Sequence, residues 1–122
     1  MLSNIMPAPD VPDQDAFSNA SPIALELYKE LIINLKLLGP FDIEVKKSSV
    51  HFLRGSAFAD VHPRKKYLGL TITSQAPIES PRIVKAEQVS ENRWHLELKL
   101  LVEGDIDKEL TGWLGDAYEL CG

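Results

Sequence analysis

Three histidines, His51, His62 and His95, are the side chains of this sequence best suited to chemistry. Each lies in a run where apolar and polar residues alternate. His51 stands between Val50 and Phe52, His62 follows Val61, and His95 stands between Trp94 and Leu96. A period of two places all three on the sheet face turned away from the core. Three imidazoles converging there could hold a zinc ion, with water as the fourth ligand. Their spacings of 11 and 33 residues match no zinc-binding signature. Histidines displayed singly on a solvated sheet are the competing account. Ser48, Ser49 and Ser56 lie near His51 in sequence, but no Gly-x-Ser-x-Gly elbow raises a nucleophile. Asp105 and Asp107 have a sufficient task as negative charge at a helix start.

The second candidate is cationic. Lys46 and Lys47 precede one apolar run, and Arg64, Lys65 and Lys66 form a turn after Pro63. Gathered at one end of a sheet, they would hold a phosphate or an acidic peptide. Alternation also turns Phe58 and Tyr67 outward, where aromatic rings could stack bases as some sheet modules do. Residues 46–66 carry a net +5 and residues 103–122 a net −5, while the whole chain carries −5. A chain this acidic is not a general nucleic-acid coat, since neutralising phosphates needs a cationic surface. Two solvated faces explain the same asymmetry. The outward face shows Leu53, Phe58, Tyr67, Thr71 and Thr73 with the histidines. An apolar patch on a polar sheet marks an interface, so Phe58, Tyr67 and His95 are candidate contacts for a homodimer or another protein.

These residues need a scaffold. At 122 residues the chain is the size of one domain. Residues 1–20 hold three Pro, three Asp and no Lys or Arg, and read as an acidic, mobile arm. Its Ile5, Met6 and Phe17 give it a means of docking on the domain or on a neighbour. Residues 21–122 read as a single α+β domain. Ser21 caps a helix with Pro22 at its first position. Leu25, Tyr28, Leu31, Ile32, Leu35 and Leu38 form its apolar stripe, and Gly39-Pro40 ends it. Alternating runs at 43–46, 50–54, 58–62, 66–73 and 94–100 read as antiparallel strands, with 83–89 a further, less regular candidate. Four or five of these form the sheet. A second helix follows Gly104, with Asp105 as cap and Ile106, Leu110, Trp113, Leu114 and Ala117 as apolar face. Both helices cover the face bearing Leu68, Leu70, Ile72, Trp94, Leu96 and Leu98, and the other face stays open.

The segments FADVHPRK leading into YLGLTI, then WHLEL, then GDIDKELTGWLGDAY, together resemble a family of small bacterial domains of unknown function. Some members of that family are labelled "predicted transport protein", and some lie beside nuclease-like modules. The resemblance spans roughly residues 25–120 and leaves the arm outside. It implies an α+β domain and brings no catalytic or binding residues with it.

One cysteine, Cys121, excludes an intrachain disulfide and suits a reducing compartment. The first residues lack the basic and apolar regions of a signal peptide, and no apolar run approaches the ~18 residues of a span. The sequence therefore reads as a cytosolic, non-catalytic binding or interaction module with a basic hairpin end, implying no cofactor. The alternative is a small metal-dependent or hydrolytic enzyme using the histidine face.

Overall fold

The computed structural model describes residues 21–122. The arm assigned to residues 1–20 lies outside them. Helix α1 (Pro22–Lys36) is followed by β1 (Asp42–Val45), β2 (Val50–Arg54), β3 (Ser56–Pro63), β4 (Leu68–Ser74), β5 (Lys85–Ser90), β6 (Arg93–Leu100) and helix α2 (Lys108–Cys121). All six strands pair antiparallel in the order β1-β2-β3-β4-β6-β5. The sheet therefore has six strands where the sequence suggests four or five. The sixth escapes periodicity because β5 is an edge strand exposed along its whole length. With no face buried, nothing imposes alternation on it.

Both helices pack on one face of the sheet, as their apolar stripes require. α1 buries Ala24, Leu27, Tyr28, Leu31, Ile32 and Leu35, with Leu25 and Leu38 only partly covered. α2 buries Leu110, Leu114, Ala117, Tyr118 and Cys121. The sheet contributes Val50, Phe52, Phe58, Ala59, Val61, Leu68, Leu70, Ile72, Leu98 and Leu100 to the same core. Trp94 and Trp113 stay half-buried at its margin.

Phe58 departs from its expected outward position. Phe52 pairs with Ala59 and Leu53 with Ala57, so Phe58 is an extra residue in β3. This β-bulge sends Phe58 and Ala59 to the same side, and both are buried. Phe58 meets Tyr118 edge-on at 5.3 Å and Phe41 at 6.0 Å, the T-shaped geometry that aromatic quadrupoles favour. Beside the bulge, the Ala57 carbonyl accepts from Thr73 Oγ1 at 3.1 Å and Cys121 Sγ at 3.5 Å. Cys121 thus closes the core instead of fraying at the chain end.

Tyr118 also joins the two helices. Its hydroxyl donates to the Pro40 carbonyl at 2.6 Å, in the connection after α1. Gly39 has φ +139°, and a Cβ there would lie 2.5 Å from the same hydroxyl. Glycine is needed here both for its backbone and for the space it leaves.

The start of α2 is held by Arg82. α2 is capped by Asp107, whose carboxylate accepts from Leu110 N at 3.0 Å. Asp105, the cap expected from sequence, instead accepts from Leu101 N and Val102 N in the preceding turn. Arg82 Nη1 donates to Asp107 and to Glu109, each at 3.0 Å, and Nη2 to the Asp105 carbonyl at 2.6 Å. Burial opposes the Arg82 charge, but the hydrogen bonds to Glu109 and Asp107 outweigh it and raise its pKa. The Leu110 N–H, and then Arg82, hold the Asp107 carboxyl below its ordinary value. A lowered carboxyl pKa adds stability above the unfolded pKa and loses it as pH falls through the folded one.

Two stability predictions follow from these contacts. Asp107→Ala lowers stability by about 1 kcal/mol at pH 7, or roughly 3–6 °C in a thermal melt. The deficit narrows when the melts are repeated down through the carboxylate range; an unchanged deficit there would contradict the assigned role. Gly39→Ala costs about 1–3 kcal/mol, and less in a Tyr118→Phe background, where the obstructing hydroxyl is gone. Additive costs in that double-mutant cycle would show the contact to be unimportant.

Candidate functional site

The register builds the open face residue by residue. One cross-strand row runs Glu44, His51, Asp60, Thr71, Glu97 and Lys85. The next row towards the β3–β4 turn is His62, Gly69 and Lys99. On the other side lie Thr73, His95 and Glu87. All three histidines therefore share the open face, but they do not meet. His51 and His95 are three strand positions apart, about 14 Å at the usual strand spacing. Among the described residues no group of three or more His, Cys, Asp or Glu side chains is placed to hold a metal ion.

His62 Nε2 lies 2.9 Å from Asp60 Oδ1. That oxygen is sealed from solvent and accepts no hydrogen bond among the described residues. The contact is one of proximity, since the ring N–H does not aim along it. Ser49 Oγ lies 3.0 Å from His51 Nε2, the spacing of a nucleophile and its base. Ser49 is only 6% exposed, however, and neither cavity described below is lined by it or by His51.

The cations are brought together as the sequence suggests. Val45, Val50 and Val61 align across β1, β2 and β3, so the β1–β2 and β3–β4 turns leave the same end of the sheet. Lys46, Lys47, Arg64, Lys65 and Lys66 are all exposed there. Lys46 lies 3.8 Å from Glu44, while Lys47, Arg64, Lys65 and Lys66 have no acidic partner within 4.0 Å among the described residues. Lys99 joins them from β6, and its Nζ sits 4.9 Å above the Tyr67 ring. The start of α1 comes to this end too, with Ser21 Oγ donating to the Arg64 carbonyl at 3.4 Å. A pocket of about 210 Å³ opens beside the turn, lined by His62, Arg64, Tyr67, Gly69, Glu97 and Lys99 among others.

A larger groove, about 600 Å³, lies between α2 and the connection after β4. Ile72, Pro77, Ile78, Trp113, Ala117 and Leu120 supply much of its apolar wall. Thr73, expected on the outward face, borders it, and none of the candidate cations, histidines or contact residues Phe58 and Tyr67 does.

Of the expected contact residues, Tyr67 and His95 are on the open face and Phe58 is not. The stacking surface loses one ring to the core, and the other already lies under Lys99. The face is also less apolar than alternation implies, because Asp42, Glu44, Glu87 and Glu97 border it. Three contributors escaped the sequence reading. Lys99 is a polar residue of an alternating strand, distinguished only once β6 is seen beside β4. Asp60 looks like any outward carboxylate until the register surrounds it. Gly69, inside the run YLGLTI, left a visible signal, since glycine is out of place in a strand interior.

Comparison with known proteins adds one relationship. A family model described as "Domain of unknown function (DUF5655)" matches residues 14–121. The match begins inside the segment set apart as an arm, so the family's boundary lies further towards the start than the resemblance from sequence implies. No curated protein matches the chain, and no solved structure does.

Proposed function

We propose that this chain, which belongs to the DUF5655 family, is a non-catalytic binding module whose basic sheet end holds a compact anion. The observation that carries this reading is the register. It delivers two cationic turns to one end and leaves Lys47, Arg64, Lys65 and Lys66 without acidic partners among the described residues. Side chains of one sign gathered at an edge raise the local concentration of the opposite sign. The rest of the open face favours a small ligand over a long one. A polyanion laid across the sheet would pass over Glu44, Asp60 and Glu97, whose charges repel it. A compact phosphate-bearing ligand confined to the end avoids Glu44 and Asp60 and meets Glu97 alone, at the pocket wall.

Against the alternative, a metal-dependent or hydrolytic enzyme on the histidine face, stand the separation of the three imidazoles and the burial of Ser49. Self-association through that face has less to draw on once Phe58 is in the core.

The test is calorimetric titration with inorganic phosphate at low salt. The triple variant Lys47→Ala, Lys65→Ala, Lys66→Ala should bind about tenfold more weakly, a difference of about 1.4 kcal/mol. Added salt should weaken the wild-type protein's binding, because exposed charges are screened. Wild-type protein that gives no binding heat, or a triple variant that binds equally well, would overturn the proposal.

A further inference from the structure

We infer that the space above Gly69 is the seat of this anion, and that it takes a phosphomonoester carrying a hydroxyl group. The inference rests on the reading of the basic end as an anion site, and it names the centre of that site and its ligand class.

The argument begins with why a glycine stands in the middle of β4. Gly69 is paired on both sides without a break, to His62 on β3 and to Lys99 on β6. No bulge interrupts the strand here, and Gly69 is not among the glycines with positive φ. Turn chemistry and backbone conformation therefore do not call for it. A glycine inside a strand weakens the sheet, and one recurring reason for it is the close approach of another group. Here the close group is the protein's own. A Cβ at position 69 would come within 3.3 Å of the His62 carbonyl oxygen and 3.8 Å of the Tyr67 ring. Glycine lets both lie close to β4, where they and Gly69 line the 210 Å³ pocket.

Its walls are chemically sorted. Arg64 and Lys99 supply fixed positive charge, and His62 and Tyr67 add polar groups. The guanidinium is a planar fork that matches two phosphate oxygens, and the ammonium is a point charge beside it. Thr71 and Glu97 also line the pocket. A carboxylate repels a second phosphate and accepts a hydrogen bond from a hydroxyl. One phosphate at Arg64 and Lys99, with a hydroxyl on the carbon chain reaching Glu97, satisfies both. Sites for drug-sized ligands run to about 300–1,000 Å³. This pocket is smaller, which suits a phosphate on a short carbon chain and leaves a whole nucleotide outside.

The experiment is a pair of titrations of the full chain, with glycerol 3-phosphate and with inorganic phosphate, followed by backbone amide NMR shifts. The expected result is movement of the Gly69, His62 and Thr71 amides, with glycerol 3-phosphate preferred by about fivefold. Glu97→Leu, which removes the acceptor, should remove that preference while keeping the phosphate response, and Lys99→Met should weaken both ligands. Shifts confined to residues 46–47 and 64–66, with Gly69 unmoved, would overturn this inference and leave the basic end as an anion site. Movement at Gly69 with equal affinity for the two ligands, or a preference that survives Glu97→Leu, would overturn the hydroxyl-bearing class. No shift with either ligand would overturn both the inference and the reading beneath it.

Discussion

The extra residue that Phe58 contributes to β3 decides what each face of the sheet carries. Without it, β3 would alternate without interruption, and Phe58 and the residues before it would fall on the opposite faces from those they occupy. With it, Phe58 and Ala59 both turn inward, while Ala57 on one side and Asp60 and His62 on the other stay outward. The aromatic cluster of Phe41, Phe52, Phe58 and Tyr118 depends on that shift. Thr73 and Cys121 donate to the Ala57 carbonyl next to the irregularity, tying it to the neighbouring strand and to the last turn of α2.

Most of the fold was legible because burial writes itself into sequence as period. α1 and α2 show stripes at helical spacing, and β4 and β6 alternate because one face of each is covered. The Ser21-Pro22 start and the Gly39-Pro40 stop of α1 were equally plain. What could not be read was whatever depends on pairing. The bulge leaves no mark in the run SAFADVHP, where continued alternation puts Phe58 outside. The choice between Asp105 and Asp107 as the α2 cap turns on Arg82, some 25 residues upstream, and no local rule reaches that far. β5 reads only as a less regular candidate at 83–89, since a strand exposed on both faces has no period to show.

The candidate site divides the same way. The five cations were visible as charge runs, and the register confirms that the two runs share an end. The polar pocket beside the second run was not visible, because its lining includes Glu97 and Lys99 from a strand distant in sequence. The histidines were the most conspicuous residues and turned out to be the least convergent. A shared face is a property of parity, whereas a shared ligand needs adjacency, and parity alone does not supply it.

The strand order has a consequence for how the chain reaches this structure. β1 to β4 form a meander of neighbours in sequence, and β5 with β6 form a hairpin turned at Glu91-Asn92. Each unit closes only short loops, which is entropically cheap. The pairing of β4 with β6 is the one strand junction that spans a longer connection, and it joins the two units into one sheet. The same junction sets Gly69 beside Lys99. The pocket is therefore complete only when β6 is paired with β4, and any ligand held there would stabilise that pairing against the separated hairpin.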